Sequence, residues 1–189
     1  RRLIEFQERG VSAPRIVGRG SDWLALSDMG QNLHRYLDKD PMSSQIESLV
    51  LQALNSLISL HKKNTVHGRG MIKDFAYDHK TQTMSFIDLS EDPLSWMSLD
   101  KAKARDFMMF YFSLMSFDLM EDGFLKTIFY QYWAQSSESV RQEIWRTYKF
   151  LRPFYKVADF FYSYLGIDGQ RFCLAMGSLD RLLKNMKAA

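Results

Sequence analysis

From Asp100 to its C-terminus the chain carries no strand-like run. Apolar residues recur there at helical spacing over roughly 100–120, 122–135, 138–165 (bent at Pro153) and 168–187. Short β-branched and aromatic runs all fall before residue 90. Gly10 and Pro14 end an opening helix, and Arg15 to Val17 with Trp23 to Leu26 then read as a hairpin. A brief helix is expected from Gln31 to Leu37. Ile46, Leu49, Val50, Ala53, Leu54, Leu57 and Leu60 share one face of a longer helix ending near Lys62. Met71 to Asp78 and Thr83 to Leu89, joined by a polar turn, predict a second hairpin. Strands early and helices late, with no βαβ alternation, predict an α+β fold, mainly α, and argue against a doubly wound dinucleotide fold.

Composition narrows the function. With 189 residues, 46% of them apolar, the chain can bury the core of one ordinary domain. A net charge of +3 is too slight for a nucleic-acid footprint and permits an anionic substrate such as a nucleotide. One cysteine, Cys173, allows no internal disulfide, so a cytoplasmic location is expected. The longest apolar stretch, Phe107 to Phe117, falls short of the roughly 20 residues of a membrane span.

Chemistry concentrates in Thr65-Val66-His67-Gly68-Arg69-Gly70-Met71-Ile72-Lys73-Asp74, followed across the hairpin by Phe86-Ile87-Asp88-Leu89-Ser90. A tight hairpin brings Asp74 and Asp88 to the same end of its strands, where two carboxylates can share Mg²⁺ and leave its other positions to water and phosphate. Taken singly, His67 reads as a structural histidine, Asp74 and Asp88 as turn caps, Arg69 as a solvated arginine, and Asp28-Met29-Gly30 as a plain turn.

Together these segments resemble the protein-kinase-like superfamily, with its H-R-D-L-x-x-x-N catalytic loop and a metal-binding aspartate after a β-hairpin. The resemblance spans residues 1 to about 120. In style it is nearest to bacterial lipopolysaccharide-core and small-molecule kinase-like proteins, because Glu91-Asp92-Pro93 leaves no room for a long activation loop. It implies a 1–30 remnant of the N-terminal lobe with the hinge, and a helical C-terminal lobe over 31–189. It further implies ATP and Mg²⁺ as cofactors, a small-molecule or sugar acceptor, His67 and Arg69 in the catalytic loop, Asp74 and Asp88 on the metal, and Asp28, Met29 and Gly30 at the adenine. Arg105-Asp106-Phe107 is similar to the family's buried helix whose aspartate braces the catalytic loop.

The departures matter as much. Arg69 stands where the family has the catalytic aspartate, and an arginine cannot serve as that base. Asp74 stands where the family has asparagine. No Gly-rich loop or V-A-I-K-like strand precedes the hinge, and Arg1 opens without a methionine, so the chain reads as a fragment expected to be inactive alone. The function expected from the resemblance is ATP/Mg²⁺-dependent phosphoryl transfer to a small-molecule or sugar hydroxyl, such as one of the lipopolysaccharide core; the alternative, favoured by Arg69 and the absent lysine strand, is an inactive pseudokinase that binds or scaffolds. The aromatic-rich helix around Trp145 to Phe161, with Arg146, Lys149, Arg152 and Lys156, suits either peripheral contact with an anionic membrane surface or a packed face backed by a solvated basic one.

Overall fold

The computed structural model describes residues 1–39, 43–117 and 121–188. It is mainly helical, with two small antiparallel sheets. In chain order come α1 (Arg2–Glu8), β1 (Ile16–Arg19), β2 (Leu24–Leu26), β3 (Gln31–Asn32), α2 (Leu33–Lys39), α3 (Ser43–Lys62), β4 (Phe75–Asp78), β5 (Thr83–Phe86), α4 (Leu99–Ser113), α5 (Asp122–Gln135), α6 (Glu138–Phe160) and α7 (Ile167–Ala188). The first hairpin is β1 against β2; the second sheet has the order β3-β4-β5.

Several expected bounds needed correction. Gln31 and Asn32 are not helical: they pair with Tyr77 and Ala76 as a strand, and the helix starts only at Leu33. Ile72 to Asp74 form a 3-10 turn, so the strand expected from Met71 begins at Phe75. The first of the late helices ends at Ser113 and is followed by a 3-10 turn over Leu114–Ser116; the remainder of its expected range, 118–120, lies outside the described residues. The sixth helix, expected to reach 165, runs through Pro153 but ends at Phe160 before a 3-10 turn over Tyr162–Tyr164, and the strand expected to reach Leu89 ends at Phe86.

Local chemistry accounts for the ends of the helices that flank the loop at residues 65–74. α3 presents its apolar stripe to the core, with Leu54 and Leu57 fully buried. It stops in a Schellman arrangement: Asn64 takes φ 52°, its N–H reaches the His61 carbonyl at 3.0 Å, and the Thr65 N–H reaches that of Leu60 at 3.3 Å. That turn aims the chain at His67. α4 starts at Ser98, whose hydroxyl accepts from the Lys101 amide, and buries Asp106, Phe107 and Phe110 along one side. Phe107 stacks on Tyr132 of α5 with ring centroids 3.9 Å apart. Phe6 and Ala13 belong to the same buried cluster as these helices. Arg9 donates to the Lys63 and Asn64 carbonyls, each at 3.0 Å, while Lys63 donates back to those of Arg9 and Gly10, fixing the end of α1 to the end of α3.

Candidate functional site

The loop between α3 and β4 is built around a carboxylate that it does not contain. Asp106, fully buried on α4, accepts the His67 amide at 2.6 Å and the Gly68 amide at 2.8 Å. Two charge-assisted bonds to adjacent amides fix the turn in place. Gly68 has φ 108°, and a Cβ there would lie 2.9 Å from the Glu91 carbonyl oxygen, so a side chain meets both strain and backbone. From the other side Arg2, almost fully buried, donates to the carbonyls of Val66 at 2.5 Å and His67 at 2.8 Å. The loop is gripped by an acid on its amides and a base on its carbonyls.

His67 spans the gap to the hairpin. Its Nδ1 accepts from the Gly70 amide at 3.1 Å, and its Nε2 donates to the Ile87 carbonyl at 2.9 Å. Those roles fix its tautomer and make it a strut next to Asp88. Asp74, also buried, closes the 3-10 turn by accepting from the Met71 amide at 3.1 Å. The Asp74 carbonyl accepts from the Ile87 amide at 2.8 Å, which places Asp88 opposite Asp74 across the hairpin. Asp88 sits in the left-handed region at φ 57°, a conformation aspartate tolerates better than most residues but that still carries strain.

Asp74 and Asp88 do come together, and Arg69 lies between them. The guanidinium donates to Asp74 through Nε at 3.0 Å and a terminal nitrogen at 2.7 Å, and that same nitrogen donates to Asp88. The Asp74 bonds, ahead of the weaker pull of Asp88, hold Arg69 still more firmly in its charged form. The Ser90 hydroxyl, ahead of Arg69, holds the Asp88 carboxyl below its usual range, with partial burial opposing. Two carboxylates are a chemistry that Mg²⁺ accepts, but the position between these two is occupied by the Arg69 guanidinium. Among the described residues no group of three or more His, Cys, Asp or Glu could hold a metal ion.

Asp28, Met29 and Gly30 form a tight turn in which the Gly30 amide donates to the Asp28 carboxylate at 2.9 Å. Met29 lines a cleft with Val11, Ala13, Arg15 and Ser27. The turn connects to the loop through Asn32, whose side-chain amide donates to the Lys73 carbonyl at 2.6 Å. Asn32 and Arg2 escaped sequence reasoning. Each acts on a carbonyl more than 40 positions away, and no local spacing reveals that.

Behind the loop, His61 donates from Nε2 to Asp106 at 3.3 Å, and its Nδ1 lies 2.8 Å from the Tyr132 hydroxyl. Burial pushes the imidazole below its ordinary 6.5, with Lys103 and His67 adding to the shift and Asp106 opposing it. Unfolded, the same ring takes up a proton near pH 6.5, so below that value the unfolded chain binds more protons. Stability should therefore fall as pH drops from about 7 to 5, by up to about 1.4 kcal/mol per unit. Urea midpoints measured across this range should slope less for His61→Gln than for the wild type; equal slopes would assign the acid sensitivity elsewhere.

No family model matches the chain. It is 25% identical over 165 residues to an uncharacterized protein of Haemophilus influenzae (strain ATCC 51907 / DSM 11121 / KW20 / Rd), an alignment covering 82% of this chain and 66% of that protein. The chain thus spans slightly less than two thirds of that relative's length.

Proposed function

We propose that the chain is the C-terminal part of a kinase-like module that binds or scaffolds rather than transferring phosphate, with Arg69 standing in place of the metal ion. The observation that carries this reading is the guanidinium shared by Asp74 and Asp88. A buried carboxylate, a braced loop histidine and a second carboxylate across a short hairpin fit the framework of a phosphotransferase. The cation between the carboxylates opposes Mg²⁺ by charge and by space, and no general base stands at position 69. Asp28, Met29 and Gly30 are the proposed contact for an adenine ring, on the strength of the resemblance and of the Asn32 connection to the loop.

A phosphotransferase acting on a small-molecule or sugar hydroxyl is the second reading. One fact favours it: a single nitrogen touches both carboxylates, so the two already lie within reach of one cation. The test is ADP release and Mg²⁺ binding by the full-length protein as wild type, Arg69→Gln, Asp88→Ala and the double variant Arg69→Gln/Asp88→Ala. The module reading expects no metal-dependent turnover in the wild type and a new millimolar Mg²⁺ site in Arg69→Gln, lost again in the double variant. Wild-type turnover that needs Mg²⁺ and disappears in Asp88→Ala would establish the enzyme instead.

A further inference from the structure

The outer face of α6 and the turn that follows it leave large apolar side chains in water. Phe150 is 69% exposed, Phe154 58%, Val157 63%, Phe160 81% and Tyr164 87%. Phe150, Phe154, Val157 and Phe161 recur at helical spacing and form one ridge. Phe150 and Phe154 touch, with ring centroids 5.6 Å apart, as do Phe160 and Phe161 at 4.9 Å. Scattered exposed apolar residues are ordinary, but a contiguous aromatic ridge marks a contact surface.

Charge identifies what the ridge meets. Lys149, Pro153, Lys156 and Phe160 make the adjoining ridge, and both lysines are exposed. Arg146 pairs with Glu143 and Arg152 with Asp180, whereas Lys149 and Lys156 are in no ion pair among the described residues. Lys149 lies over the Trp145 ring, 5.9 Å from its centroid. Asp159, the sole acid between residues 145 and 165, is opposite the aromatic ridge in helical register and three residues from Lys156. We propose that this face binds an anionic phospholipid surface, the aromatic ridge entering the boundary between headgroups and acyl chains while Lys149 and Lys156 reach lipid phosphates along its flank. A second copy of the chain is a poorer occupant, because pairing two such faces brings their lysines together with one acid per copy, Asp159, set back from the aromatic ridge. No helix among the described residues is long and apolar enough to cross a membrane, so the contact is one of lying on the surface.

The experiment is co-sedimentation of the chain with phosphatidylcholine vesicles, with and without about 30% phosphatidylglycerol, a composition that gives a negative surface potential. Wild type should partition at least about 25-fold more strongly onto the anionic vesicles, and Lys149→Gln/Lys156→Gln should lose about that factor, roughly fivefold per lysine. Phe154→Asp/Phe160→Asp, at exposed positions that leave the fold intact by circular dichroism, should remain in the supernatant. Wild type failing to sediment with anionic vesicles would overturn the proposal. So would a double Phe variant that sediments like the wild type, or a wild-type dimer in solution that this variant dissolves.

Discussion

Asp106→Ala is expected to destabilise the fold by about 3–5 kcal/mol, the range for removing one partner from a buried, charged hydrogen-bond network. The carboxylate is fully buried and receives the amides of His67 and Gly68, with His61 close behind. Truncation strands two buried N–H groups, each worth about 1–3 kcal/mol when left unsatisfied. Asp106→Asn keeps one accepting oxygen and should fall between the two. Urea unfolding gives the totals, and hydrogen exchange at the His67 and Gly68 amides locates the damage, since those two should lose protection ahead of α4. A loss under about 1 kcal/mol would show that Arg2 and the Schellman turn hold the loop without Asp106.

Gly30→Ala should cost about 3 kcal/mol or more, through strain at its backbone and a collision that cannot relax cheaply. The residue has φ 91°, and an added Cβ would lie 2.4 Å from the Tyr77 carbonyl oxygen and 2.7 Å from the Asp78 Cα. Both are backbone atoms of β4. Relief requires β3 to peel from β4 at the Gln31–Tyr77 pair, which also draws Asn32 away from Lys73. Thermal melts of Gly30→Ala and of Gly123→Ala, whose new methyl meets open space, separate this effect from the general effect of adding a methyl. A Gly30→Ala variant as stable as Gly123→Ala would mean that the turn has room the geometry does not show.

The late helices were legible from helical periodicity over long segments, and at two of them Ser98 before α4 and Ser137 before α6 cap through their hydroxyls. The short strand β3 was not. Two residues cannot show a period, and Gln31 and Asn32 are extended only because β4, more than 40 positions later, offers them a ladder. The approach of Asp74 to Asp88 followed from hairpin geometry, a local property. The direction of the Arg69 side chain did not follow, for a long flexible side chain at such a position can point to solvent, to a bound phosphate or back to its own loop. Arg2 was invisible for a further reason. A basic residue in a first helical turn reads as surface, and its burial depends on two carbonyls that α3 brings over it.

Arg69 also changes what the site depends on. A diffusible ion binds according to its concentration and leaves when a chelator competes for it. A guanidinium five residues from Asp74 on the same loop is present at an effective concentration set by the chain itself, the advantage of any tethered group. Charge balance between the two aspartates thereby becomes part of folding rather than a response to the surrounding solution. On the binding-module reading proposed above, a loop neutralised from within keeps its charge balance without drawing on an ion from solution.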